Sequence, residues 1–420
     1  AVQDIEEVYT WEEGDLLSGD TRYISNWVGC GSLRYDPQIK FVKPDTVTRT
    51  VSRGTTSWVT TQSLFDAYGN PTSIEEDGNS LRTTTLTYWY STVENILEGR
   101  VESRTQAPGP RECFTLNANG TVAERRINPT TCIATNGVTT SHLYDSSGQL
   151  TQEETTNTGG ALTYRRRQLQ SYSYGIPELE ILPVVLGGMS DIRINRDISA
   201  LGLVIWEEDG RQGATYRTSY LYDGLKRVTS IAPPVGLTTT IAYATDGSTA
   251  TVSRGSGGTL RSFRTSFDGF GRKRTWEDLQ RGDKETTTYD AIGRKTQTQL
   301  YAGAEVADLH VFDVAGRLTR IDHPDVYDIE YGYSGNTVTV TDENLDDTTL
   351  NYEAFGDPAD RRLVSVVDAD GKTWTYGYHS TYGLLSAITA PTGFSGANRS
   401  FTYTTNRFLD IETHPETGAI

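Results

Sequence analysis

Phe267-Asp268-Gly269-Phe270-Gly271-Arg272-Lys273, Tyr289-Asp290-Ala291-Ile292-Gly293-Arg294-Lys295 and Phe312-Asp313-Val314-Ala315-Gly316-Arg317-Leu318 state one phrase three times. The template is aromatic, Asp, two free positions, Gly, basic residue. An aromatic at the end of a β-strand points its ring to one face of the sheet, where it buries a large apolar area. The Asp carboxylate accepts backbone N–H bonds from the residues just after it and bends the chain. Gly supplies the left-handed conformation that closes a type I turn with a bulge. The basic residue starts the return strand. Each phrase is therefore a β-hairpin corner, and its repetition makes an architecture.

Working outward, good copies lie at Phe65-Asp66-Ala67-Tyr68-Gly69 and Tyr144-Asp145-Ser146-Ser147-Gly148. Tyr222-Asp223-Gly224-Leu225-Lys226 has Lys where Gly belongs, and decayed copies are Tyr352-Glu353-Ala354-Phe355-Gly356 and the longer Tyr378-His379-Ser380-Thr381-Tyr382-Gly383. With Tyr243, Tyr333 and Tyr403 as degenerate anchors, the phrase recurs about every 23 residues from Tyr222 to Tyr403, the size of one two-stranded repeat unit. Phe65, Tyr88, Phe114, Tyr144 and Tyr172 continue the series upstream with wider gaps.

The aromatic-Asp-x-x-Gly-Arg phrase resembles the YD-repeat, or RHS-repeat, family of the Rhs, Tc-toxin and teneurin type. The resemblance covers roughly residues 61–175 and 216–383, with degenerate units to the end. It implies hairpins added side by side into a long sheet that coils into a hollow shell. Toxin-delivering shells of the family end in an Asp-Pro-x-Gly core with a self-cleaving aspartate pair. The nearest strings here, Asp36-Pro37-Gln38-Ile39 and Asp357-Pro358-Ala359-Asp360, lack the Gly, so that centre is not in these residues: either it follows Ile420 or this member lacks it.

Composition agrees with an all-β repeat of antiparallel hairpins stacked into a long curved sheet. Apolar content is 35%, low for 420 residues, and 24 Tyr, 11 Phe and 7 Trp supply the bulk. Thr runs such as Thr83-Thr84-Thr85 and Thr238-Thr239-Thr240 favour strands, and no segment carries a capped apolar stripe of helical period. A formal charge of −17 argues against nucleic acid, which needs a basic surface. The basic run Arg165-Arg166-Arg167 reads as the start of a return strand. No run reaches the ~18 apolar residues of a membrane-spanning helix.

Chemistry is mostly absent. The three Cys (Cys30, Cys113, Cys132) match no zinc spacing. Cys113 and Cys132 lie in neighbouring hairpins and are able to bridge if the chain is exported; two independent thiols are the alternative. Cys30 then reads as a small buried hydrophobe. His142 and His310 stand two residues before an anchor ring and read as packing side chains rather than ligands. The repeated Asp66, Asp145, Asp223, Asp268, Asp290 and Asp313 are explained by their turns without catalysis. Asp342-Glu343-Asn344 and Asp368-Ala369-Asp370-Gly371 read as hairpin turns rather than calcium loops. No catalytic residue, metal or cofactor is expected.

The organisation expected is entry strands over 1–60, a first repeat block over 61–175, an insertion or seam over 176–215 with a joint at Gly187-Gly188, and a second block over 216–420 that continues beyond Ile420. Unpaired hairpin edges zip to the next hairpin until something caps the array. The leading functional expectation is a secreted or surface scaffold that encloses or presents the rest of a larger polypeptide or a cargo. A carbohydrate-binding adhesin contacting surface glycans, and a fibre built by self-association through open sheet edges, are the alternatives.

Overall fold

The computed structural model describes residues 5–13, 44–53, 55–91, 96–129, 131–133, 137–157, 165–182, 191–211, 213–255, 257–301, 305–324, 327–405, 407–414 and 418–419. Cys30, Asp36-Pro37 and Gly187-Gly188 fall outside them. The described residues form thirty-three strands, and each pairs antiparallel with the strand before it. They include no α-helix, only single 3-10 turns at Ala214–Tyr216, Gly257–Thr259 and Ser395–Ala397.

Alternation along each strand sorts the side chains onto two faces. In Thr337–Thr341 the valines lie opposite Tyr331 and Tyr333 while the threonines face the other way. The same face carries Trp276 opposite Glu285 and Tyr376 opposite Ile388. The anchor rings thus share one face of the sheet. A register shift sits at the anchor in strand after strand, between Ser266 and Phe267, Thr288 and Tyr289, and Val311 and Phe312. The corner inserts an extra residue there, and such bulges bend the ladder and strengthen its twist.

Residues 176–215 contain a stepped joint. In the strand Ile192–Ile198, Ile192 to Asn195 pair with the preceding strand, whereas Arg196 to Ile198 pair with the following one. The sheet passes from one half of the chain to the other through this shared strand.

The sheet also returns on itself. The hairpin of the second and third strands, Pro44–Arg53 and Thr56–Phe65, lies against the corners that follow the twenty-fifth and twenty-seventh strands, Ile329–Ser334 and Asp347–Ala354. The buried cluster Val51, Trp58 and Ala354 forms across that contact and joins one coil to the next, while other buried side chains such as Leu86, Leu169 and Thr287 are spread singly along the sheet.

Candidate functional site: corners, ladders and the seam

At each corner the chain turns by one hydrogen-bond pattern. Asp290 N–H donates to the Arg294 carbonyl at 2.9 Å, and Gly293 N–H donates to the Asp290 carbonyl at 3.1 Å. The Asp290 carboxylate then accepts the N–H groups of Ile292 (3.1 Å) and Arg294 (2.8 Å). The main-chain pair recurs at Asp66, Asp145, Asp223, Asp268 and Asp313, with Gly69, Gly148, Lys226, Gly271 and Gly316 as the third residue onward. Lys226 stands at φ 65° where the other units have Gly. The pattern also occurs at Asn117, Ser199, Asp342, Asp368 and Thr404, positions outside the aromatic-Asp phrase as read from the sequence. The Ser199 and Thr404 hydroxyls accept turn N–H groups as the Asp carboxylates do, so the Asp is one solution among several.

The decayed copies differ in instructive ways. Gly383 sits at φ 68° and closes a corner one residue longer, from His379 to Leu384. Gly356, in contrast, closes no corner: the turn has moved on to Asp357, where Asp360 N–H reaches the Asp357 carbonyl and Ala359 N–H its carboxylate. A Cβ on Gly356 would lie 2.3 Å from Thr60 Oγ1, so this glycine serves close approach.

The basic residue does more than start a strand. Arg294 forms an ion pair with Asp290 at 2.6 Å and lays its guanidinium 4.8 Å from the Phe312 ring of the next unit. Arg227 does the same between Asp223 and Tyr243, Arg272 between Asp268 and Tyr289, and Arg317 between Asp313 and Tyr333. Several anchor phenols reach backward: Tyr289 donates to the Lys273 carbonyl (2.9 Å), Tyr333 to Leu318 (2.8 Å), Tyr378 to Leu363 (2.7 Å) and Tyr403 to Leu385 (2.6 Å). Unit is therefore locked to unit in both directions, by cation–π contact forward and by a hydrogen bond behind. Burial, though it opposes ionisation, is outweighed at Asp313 by the N–H and guanidinium of Arg317, which hold its carboxyl below the usual range. The repeated carboxylates are thus occupied by their own turns.

Within the first repeat block and across the joint after it, the aromatic face also carries charge. Glu112 is buried between Arg104 and Arg125. Further on, Arg167, Glu180, Arg196 and Glu207 alternate across four strands at 2.6, 3.0 and 2.5 Å. Burial raises the Glu180 carboxyl, and the hydrogen-bonded Arg167 and Arg196 more than reverse that. Cys113 and Cys132 are joined in a disulfide, with Cα atoms 5.4 Å apart. His142 and His310 lie on the anchor face, each with a buried Nδ1 that has no hydrogen-bond partner. No group of three His, Cys, Asp or Glu able to hold a metal ion occurs among the described residues.

The seam joins corners nearly a full coil apart. Trp58 Nε1 donates to Asn336 Oδ1 at 3.0 Å, and Ala354 N–H donates to Asn79 Oδ1 at 2.7 Å. Asn79 N–H returns a bond to the Ala354 carbonyl at 3.2 Å. Arg49 pairs with Asp357 at 3.0 Å and Arg82 with Asp360, while Arg82 also covers the Phe355 ring at 4.5 Å. A Cβ on Gly78 would stand 2.3 Å from the Phe355 carbonyl, so the contact demands glycine there. Further along, Gly109 N–H donates to the Thr381 carbonyl and Arg407 donates to the Gly109 carbonyl.

A family model described as RHS Repeat matches residues 356–395, which begin within the seam corner and run through the His379 corner. Those residues match the RHS repeat. No curated protein matches the sequence. Among solved structures it is similar to TcdB2-TccC3-Cdc42, at 13% identity and a TM-score of 0.50, over 88% of this chain and 25% of that one. TcdB2-TccC3 without its hypervariable C-terminal region gives 12%, 0.48, 90% and 25%, and the Photorhabdus luminescens Tc holotoxin pore gives 12%, 0.39, 89% and 25%. The chain spans about a quarter of the length of these structures. At such identities the first likeness speaks for the fold, which is the coiled hairpin sheet described above.

Proposed function

We propose that this chain is a structural wall: one coil of an RHS-repeat shell that encloses another part of a larger polypeptide or a cargo. The observation that carries the reading is the seam, because a sheet whose hairpins meet again one coil later surrounds a space. From the second to the twenty-fifth strand is 23 steps. At about 4.8 Å each they make a circumference of roughly 110 Å, a ring about 35 Å across between backbones. Side chains of about 5 Å on the inner face leave a lumen of about 25 Å, wide enough for an unfolded or small folded polypeptide.

Three features support a passive role in an extracellular setting. The repeated carboxylates are engaged by turn N–H groups and arginines, which fits a scaffold rather than an enzyme. A disulfide persists in oxidising compartments, which fits a secreted or surface protein. Corners outside the seam expose Leu225, Phe270, Ile292 and Val314, apolar tips suited to packing against more of the same wall.

The test places a photo-crosslinking residue at Trp276 on the anchor face and, separately, at Glu277 on the opposite face, within the native full-length polypeptide. Enclosure predicts that one face labels the enclosed polypeptide and the other does not. Equal labelling from both faces, or none from either, would end the proposal.

A further inference from the structure

The corner at His379 differs from its neighbours in the atom that holds it. Where most other units use an Asp carboxylate and a few a hydroxyl, His379 Nδ1 accepts the N–H groups of Thr381 and Tyr382, both at 3.2 Å. An imidazole nitrogen accepts only while unprotonated, whereas a carboxylate accepts throughout the neutral and mildly acidic range. The replacement occurs at a corner that closes the seam. Thr381 offers its carbonyl to Gly109 N–H at 3.2 Å, and Gly383 lies against Pro108.

The surroundings amplify the difference. The His379 ring stacks on Tyr382 with centroids 4.1 Å apart, and the Arg407 guanidinium lies 4.9 Å from the Tyr382 ring. Arg407 is the residue that donates to the Gly109 carbonyl. From the preceding hairpin, Arg362 donates to the Gly383 carbonyl at 3.3 Å while paired with Glu353. From the first coil, Arg111 adds to the positive field felt by Arg407. The charged groups around the corner are thus Arg362, Arg407 and Arg111, with Glu353 already paired. A proton on Nδ1 places a donor against two N–H donors and a fourth cation among these arginines. Stacking of an imidazolium on Tyr382 returns part of the loss.

We propose that His379 is a pH-sensitive latch on the coil-to-coil seam: neutral, it holds the 379–384 corner against Pro108-Gly109, and protonated, it releases that corner. Loss of the latch loosens Thr381 and Tyr382, then Arg407, and so frees the hairpin tip at 107–110. The sign is release on acidification, because a protonated imidazole no longer accepts the two N–H groups. A shell built this way opens at one joint in a mildly acidic compartment while its other corners stay closed. The inference rests on the seam and is independent of what the shell encloses.

Amide hydrogen exchange on the full chain, corrected for intrinsic rates, reads this directly at pH 7.5 and 5.0. Protection of segments 107–111 and 380–384 is expected to fall about tenfold at pH 5.0, the equivalent of one net hydrogen bond. Segment 222–227, held by Asp223, is expected to keep its protection and serves as the control. His379→Asp and His379→Asn, which accept at both pH values, should each remove the pH response. Unchanged seam protection in the wild type, an equal response in both variants, or loss at 222–227 in parallel would overturn the latch.

Discussion

Trp58 and Asn336, 278 residues apart in sequence, share a 3.0 Å hydrogen bond between Nε1 and Oδ1. Trp58 is the one fully buried large side chain among the described residues, 1% exposed, and it packs with Val51 and Ala354. Replacing it removes both the ring and the bond. Trp58→Ala is expected to cost about 3–5 kcal/mol at the seam, and Trp58→Phe or Asn336→Ala about 1 kcal/mol. Denaturant titration followed by hydrogen exchange at 77–82 and 352–360 checks the order of these losses. A Trp58→Ala chain with unchanged seam protection would contradict it.

The corners make a prediction in the stabilising direction. Lys226 and Leu345 sit at φ 65° and 67°, the left-handed region where a Cβ is strained. Lys226→Gly and Leu345→Gly relieve that strain but loosen the unfolded chain, so each is expected to stabilise by no more than about 1 kcal/mol. Gly271→Ala is the mirror experiment: its Cβ would meet nothing within 4 Å, yet φ is 78°. A loss of about 1–2 kcal/mol there is conformational alone. Thermal melts of the three variants should move in opposite directions.

Stability should fall with acid in two steps. Burial first, then Lys295, lowers the affinity of His310 for a proton in the folded chain. A base depressed on folding contributes stability that is present above the unfolded value, near 6.5, and is lost as pH falls below it. Glu112, Glu180 and Glu353 are held low by their arginines despite burial, so their contribution is present above about pH 4.5 and lost below. His310→Gln should remove part of the upper step and leave the lower one. A melt series from pH 8 to 3 separates them.

The disulfide closes a sequence separation of 19 residues between Cys113 and Cys132. The loop-entropy account gives about 3 kcal/mol for such a closure. Reduction, or the double change Cys113→Ser and Cys132→Ser, is expected to lower the melting temperature and to loosen residues 113–132 before the Asp290 corner. Melts with and without reductant, read by local exchange, decide it.

Much of this molecule is written locally. Phe312, Asp313, Gly316 and Arg317 stand within six residues, and the bonds they make to one another are turn bonds. Strand, corner and ring face therefore follow from the phrase. The corner at Thr404 follows Tyr403, an anchor already read as degenerate, whereas the corner at Ser199 follows no aromatic anchor and was not legible as a copy, because a serine hydroxyl accepts the turn N–H groups as an Asp carboxylate does. The forward reach of Arg272, Arg294 and Arg317 left a signal in the sequence, their recurrence four residues after each Asp. Its meaning depended on where the next ring falls in space.

The sequence by itself determined the repeated unit, since a hairpin corner is closed by neighbours along the chain and pays its loop entropy over a few residues. Only the tertiary structure decided the seam. Which corner meets Trp58, why Gly356 is a glycine and what His379 holds all depend on the accumulated twist and bend of more than twenty strands. Small angles summed over that length place residues nearly 300 positions apart in contact, and no local pattern carries such a sum.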